Sequence, residues 1–174
     1  FMIISYPANP VCSVADDSFY EKAIAFAKKY NVILLHDNAY SDIIFGGKEG
    51  KSFLSYKGAM EVGIEFYSLS KSYNMTGMRI SFALGNKDVI QMFRKVRSQI
   101  DYGIFLPIQK AAVAALTGPQ DNVKEQCRIY EERNYALCRG MSSIGWKIPD
   151  GQGTMFVWAP IPENYTSSER FTLD

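Results

Sequence analysis

The chain has 174 residues, with 19 Lys and Arg against 18 Asp and Glu, a formal charge of +1, and it is 47% apolar and 21% charged. That balance suits a folded domain with a real core and argues against disorder, and against a nucleic-acid binder, which needs a basic surface. The longest apolar runs, such as Ala111 to Leu116, are far too short to span a bilayer, and no pattern of a secretory signal is visible, so neither membrane nor nucleic acid is an expected partner.

In chain order, Met2-Ile3-Ile4 is an apolar run ended by Tyr6-Pro7 and Asn9-Pro10, which reads as a buried strand entering a turn. The spacing predicts a helix over Asp16 to Tyr30. Its apolar stripe is Ala23, Phe26, Ala27 and Tyr30, with Ser18 and Glu21 as a capping box and Asn31 as the stop. Val32 to Leu35 reads as a second buried strand, Ile64 to Leu69 as a third and Ile80 to Leu84 as a fourth. A Gly-rich loop (Gly46, Gly47, Gly50) follows the second, and a polar turn from Ser68 to Arg79 separates the last two. Helices are predicted over Asp88 to Ile100, Pro107 to Leu116 and Asn122 to Met141, and a strand over Met155 to Trp158.

Strand and helix alternate at the spacing of an α/β fold, predicted as three α/β/α layers around a mostly parallel sheet. In such folds functional residues gather at the carboxyl ends of the strands. Asn9, Asp37, Tyr40, Ser68, Ser70 and Lys71 fall there. Three cysteines (Cys12, Cys127, Cys138) without a CxxC pair, and one histidine, argue against a metal site. Free thiols fit a reducing compartment, so a cytoplasmic location is expected. His36, the single histidine, reads as packing and receives no role.

The segment Ser68-Leu69-Ser70-Lys71-Ser72-Tyr73-Asn74-Met75-Thr76-Gly77-Met78-Arg79 resembles the Schiff-base motif of class I/II aminotransferases, the pyridoxal-phosphate enzymes of fold type I. Tyr6-Pro7-Ala8-Asn9-Pro10 resembles that family's Asn-Pro turn, and His36-Asp37-Asn38-Ala39-Tyr40 its Asp-x-x-Tyr strand end. Lys71 follows Asp37 by 34 positions and precedes Arg79 by 8, as the family's pattern requires, and the resemblance runs from Met2 to Trp158.

The resemblance implies pyridoxal 5'-phosphate as cofactor and amino acid and 2-oxo acid substrates. It makes Lys71 the amine that joins the cofactor aldehyde and the base that moves the substrate proton. Asp37 is implied at the pyridine nitrogen, where a carboxylate favours the protonated ring, an electron sink. Tyr40 and Asn9 are implied at the ring's phenolic oxygen, and Ser68, Ser70 and Arg79 at the phosphate, which suits hydroxyls and a guanidinium fork. Taken alone, Asn9 is also what an Asn-Pro turn needs, Tyr40 suits a core, Asp37 suits a turn cap and Arg79 a surface ion pair.

Two departures stand out. Val11 and Cys12 replace the Thr-Gly that usually follows Asn-Pro, so this turn lacks a glycine's freedom, and Met78 stands where tryptophan is usual. The resemblance further implies that residues 1–142 are the second half of a cofactor-binding large domain and 143–174 the start of a small α+β domain. The chain is then part of a longer homodimeric protein and inactive alone. Two other readings use the same residues: a carbon–sulfur β-lyase or decarboxylase of the same fold, and a ligand-sensing domain of a transcriptional regulator.

Overall fold

Four strands and seven helices make up the computed structural model, which describes residues 1–174. β1 (Met2–Ser5), β2 (Leu34–Asp37) and β3 (Gly63–Ser68) are parallel neighbours, and β4 (Ser81–Gly85) lies antiparallel beside β3. The register sets Ile4 beside His36 and His36 beside Glu65, while Ser5, Asp37 and Phe66 form the next row. Side chains alternate between faces. Leu34, His36 and Glu65 therefore share one face, and Asp37, Phe66 and Ser68 the other.

α1 (Asp17–Tyr30) covers the first face. Ile4 and Leu34 pack there against Tyr20, Ala23, Ile24 and Ala27, with Phe53 from a 3₁₀ turn (Phe53–Ser55) and Ala59 from α2 (Ala59–Val62). Leu34, Phe53 and Ala59 have no exposed surface. Burial of a side chain the size of Leu or Phe contributes about 1.5–3 kcal/mol. The buried stripe of α1 is Tyr20, Ala23, Ile24 and Ala27, so the expected members Phe26 and Tyr30 face outward, their rings tilted against each other with centroids 4.7 Å apart.

The expected capping box is also replaced. Asp16 caps the helix, its carboxylate accepting the Phe19 N–H at 2.8 Å and the Ser18 hydroxyl at 2.9 Å. At the other end Asn31 takes a left-handed conformation (φ 53°) and the Val32 N–H still bonds Ala27. That closing turn delays β2, which starts at Leu34 and runs two residues further than the apolar run suggests.

On the second face α4 (Lys87–Arg97) sets Phe93 edge-on to Phe66 at 6.1 Å, completing the third layer over β3 and β4. β3 passes without a loop into α3 (Leu69–Ser72), and a 3₁₀ turn (Thr76–Met78) leads on to β4. α5 (Leu106–Thr117) carries Pro107 in its first turn and ends at Gly118, and α6 (Asp121–Ser143) is the longest helix. Leu69, Ile80 and Ala112 form a small core that seats α5 against the Lys71 turn.

Met155 to Trp158 does not form the expected strand; the region makes only an isolated bridge, Ile44 with Gly153. Thr154 has φ 68°, which breaks the extended run, and the Phe156 carbonyl is bonded by side chains instead of a neighbouring strand. The last helix, α7 (Ser168–Leu173), is short. No helix is long and apolar enough to cross a membrane, and no cluster of His, Cys, Asp and Glu is arranged to hold a metal ion.

Candidate active site

β2 ends on Asp37, whose exposed carboxylate accepts only the Ala39 N–H, at 3.2 Å. The Asn38 N–H carries the pairing one bond further, to Phe66 of β3 at 2.9 Å, and the chain turns beyond it at the Asp37–Ala39 bond. Tyr40 then drops into a buried cluster with Ile43 and Phe45, edge-on to Phe156 at 5.8 Å. Its hydroxyl oxygen accepts the Asn9 side-chain N–H at 3.4 Å. Burial pushes the Tyr40 phenol up, and the Asp37 charge adds to this against the opposing Asn9 bond. The phenol therefore keeps its proton at neutral pH.

Asn9 is presented by a turn closed by Ala8 N–H to Ser13 and Cys12 N–H to Ala8, at 2.9 and 2.8 Å. Cys12 occupies the glycine-like conformation (φ 64°) that the departure from Thr-Gly put at issue. Its buried thiol bonds the Pro10 and Phe156 carbonyls at 3.1 and 3.2 Å and accepts the Thr154 hydroxyl at 3.4 Å. Contacts on three sides hold a side chain in a region it rarely visits.

Ser68 ends β3 and caps α3, accepting the Ser70 N–H at 3.2 Å. One turn on, the Lys71 amine lies over the Tyr40 ring, 5.8 Å from its centroid. Several bonds hold this turn. Gln126 of α6 donates to the Lys71 carbonyl at 2.5 Å. Asp42 accepts the Tyr67 hydroxyl at 2.6 Å and the Ser72 hydroxyl as well, so one carboxylate clasps residues on both sides of Ser68 to Lys71. Burial and the Asp42 charge push the Tyr67 phenol up. Thr76 donates to the Ser70 carbonyl at 3.0 Å, and Arg79 to the Thr76 carbonyl at 3.1 Å.

Asn9, Asp37, Tyr40 and Lys71 thus share one patch at the strand ends. Ser68, Ser70 and Arg79 run along the neighbouring edge, where Arg79 reaches Ser70 only through Thr76. Asp42, Gln126 and Thr154 support the site without any signal in the sequence, and Cys12 and Thr76 support it from within motifs that gave them no role. Glu65 did carry a signal, a charge inside an otherwise apolar strand, which needs a buried partner.

An α/β sheet whose strand ends offer, in chain order, a carboxylate, a tyrosine, a lysine and an arginine has the fold of an aminotransferase of fold type I. The family model for aminotransferases of class I and II matches residues 1–172, and the chain belongs to that family, whose members use pyridoxal phosphate.

The chain is 45% identical over 166 residues to an LL-diaminopimelate aminotransferase of Halothermothrix orenii, covering 95% of this chain and 43% of the relative. It is 42% identical over 166 residues to the glutamate-pyruvate aminotransferase AlaC of Escherichia coli, covering 95% of this chain and 40% of that protein. Among solved structures it is similar to BacF of Bacillus subtilis, with a TM-score of 0.91 and 42% identity over 98% of this chain and 43% of that one. The chain spans about two fifths of the length of the curated relatives it matches.

The donor set fits the family's cofactor. An exposed carboxylate suits a ring nitrogen, and a protonated phenol with a carboxamide suits a ring oxygen. Hydroxyls at a helix start with an exposed guanidinium suit a phosphate, and an amine stands over the tyrosine.

Proposed function

We propose that the protein containing this chain is a pyridoxal-phosphate-dependent aminotransferase that moves an amino group between an amino acid and a 2-oxo acid, and that it works as a homodimer. Similarity to enzymes named for LL-diaminopimelate and for glutamate and pyruvate supports substrates of that class. The observation that carries the reading is the Lys71 amine over the Tyr40 ring, with Asn9 on the Tyr40 hydroxyl, beside the Asp37 strand end.

When bound, pyridoxal phosphate supplies an aldehyde that takes the amino group and a ring that accepts electrons from the substrate's α-carbon. Lys71 would hold the cofactor through Nζ, and its amine, when free, would be the base that carries the substrate's α-carbon proton. Asp37 keeps the ring nitrogen protonated by placing a negative charge against it. Tyr40, which retains its proton, and Asn9 donate to the ring oxygen. Ser68, Ser70 and Arg79 hold the phosphate. The Asp42 and Gln126 bonds keep Lys71 on its turn while its amine moves.

The domain reading follows the same line. Residues 1–142 are the second part of the cofactor-binding domain, and 143–174 open a smaller one, since α6 ends at Ser143 and only one short helix follows. The test is to add pyridoxal phosphate to the chain and record the visible band, with borohydride trapping to locate the modified lysine. A band that Lys71→Ala abolishes, with the label on Lys71, is the expected result. A band indifferent to Lys71→Ala, or a label on other lysines, overturns the reading.

A further inference from the structure

Behind the site, on the opposite face of the sheet from Asp37, His36 has no exposed surface. Its Nδ1 lies 3.0 Å from Glu65 Oε2, and its Nε2 lies 3.1 Å from the Tyr6 carbonyl oxygen and 3.4 Å from the Tyr20 hydroxyl. The hydrogen-bond chemistry of these neighbours sets the state of the ring. A backbone carbonyl can only accept, so Nε2 must bring a proton to Tyr6. Glu65 Oε2 already accepts the Phe53 N–H at 2.7 Å, and Oε1 accepts the Ser52 hydroxyl at 2.9 Å. The carboxylate is thus surrounded by donors, and Nδ1 must bring a proton as well.

A neutral ring protonated only at Nδ1 could accept from Tyr20, but it would press a lone pair against the Tyr6 oxygen at the shorter distance. A neutral ring protonated only at Nε2 would face a lone pair to the Glu65 carboxylate. The groups around the ring come from every packed element: Glu65 from β3, Tyr20 from α1, Tyr6 from the turn after β1, and Ser52 and Phe53 from the loop before α2. Tyr20 and Phe53 also stand edge-on to the ring at 5.4 and 5.8 Å. Glu65 is the one carboxylate in contact with it. Burial pushes the Glu65 carboxyl up, but its bonds from His36, Ser52 and Phe53 and the His36 charge outweigh this and hold it below the usual range.

We propose that His36 is a positioning residue that works as a doubly protonated ring: Glu65 holds the proton on Nδ1, and Nε2–H fixes the Tyr6 carbonyl and with it the turn that offers Asn9 to Tyr40. The bond to Tyr6 lies three residues before Asn9, and His36 itself directly precedes Asp37, so one ring ties together the two segments that meet at the Asn9–Tyr40 bond. This role rests on the cofactor reading given above; the state of the ring does not.

The chain has a single histidine, so its nitrogens can be read without assignment. In a ¹⁵N-labelled sample at neutral pH, the expected spectrum shows both ring nitrogens protonated, with two N–H protons protected from exchange. One protonated and one bare nitrogen overturns the proposal.

The positioning part is read by comparing binding of pyridoxal 5'-phosphate with that of its 3-deoxy analogue, which lacks the ring oxygen that Asn9 and Tyr40 would contact. His36→Gln is expected to weaken the natural cofactor about fivefold more than the analogue, the worth of one hydrogen bond. An equal loss for both, which a purely structural role would give, overturns it, as does no loss for either. Should that variant fail to fold, Glu65→Gln tests the same link: the expected result is a neutral ring and the same selective loss. A ring still doubly protonated there overturns the assignment to Glu65. If wild-type chain shows no Lys71-dependent band at all, the cofactor reading and the role toward Asn9 fall together, while the nitrogen spectrum still decides the ring.

Discussion

The two faces of the sheet are filled differently. Under α1, Leu34, Phe53 and Ala59 are wholly enclosed, and even the polar pair His36 and Glu65 is buried with hydrogen-bond partners for both residues. Toward α4 and α5, Val96, Ile100, Phe105 and Leu106 are mostly exposed in this chain, which spans about two fifths of its relatives' length, and so is Ile3 of β1. Asp37 and Ser68 belong to this second parity, at its strand ends. The comparison teaches that stability and chemistry lie back to back. The closed face holds the strands in register, and the strand ends spend that rigidity on holding the site.

Substitutions on each side sharpen the contrast. Phe53→Ala is expected to cost about 3–5 kcal/mol, the range for emptying a closed aromatic site. Denaturant unfolding followed by circular dichroism checks this, and a loss under 1 kcal/mol would show the α1 side to be looser than it looks. Next in size is Asp42→Ala, which strips the shared acceptor from Tyr67 and Ser72 and should cost about 1–3 kcal/mol. Asp42→Asn keeps one acceptor oxygen and should cost less, so a loss as large as that of Asp42→Ala would count against the clasp.

The third test uses acid. The Glu65 carboxyl is held below its ordinary value, so the stability it contributes is complete above about pH 4.3 and is lost as pH falls through the lowered value. Wild type should therefore lose stability more steeply than the double variant His36→Gln/Glu65→Gln, which removes the paired ring as well, between about pH 5 and pH 3. Parallel slopes in the two proteins would remove Glu65 from the account. The smallest effect belongs to the open side: Phe105→Ala should change stability by no more than about 0.5 kcal/mol, and a change of several would mean that this side packs after all.

Much of this was legible in the residues themselves. The three parallel strands followed from apolar runs punctuated by Pro, Asn and Gly, and the expectation of a site at Asn9, Asp37, Lys71 and Arg79 from the resemblance of their segments to a family's motifs. The errors share a cause. Asp16 took the cap from Ser18, and Thr154 ended a strand before it began, because side-chain bonds settled what periodicity left open. The supports of Lys71 were not legible at all. Gln126 acts across 55 positions and Asp42 across 30, through a backbone carbonyl and two hydroxyls, and nothing in a lone Gln or Asp announces such a partner.

The junction at Ser68 has a further consequence. Because that residue is at once the end of β3 and the cap of α3, the lysine is reached by counting, with no slack between sheet and amine. Each strand residue turns its side chain to the opposite face, and each helical residue rotates the next by about 100°. Adding or deleting one residue between Ile64 and Lys71 would re-aim the amine altogether, whereas exchanging one apolar side chain for another there would scarcely move it. Along this stretch the number of letters is as much a part of the protein's chemistry as the letters themselves.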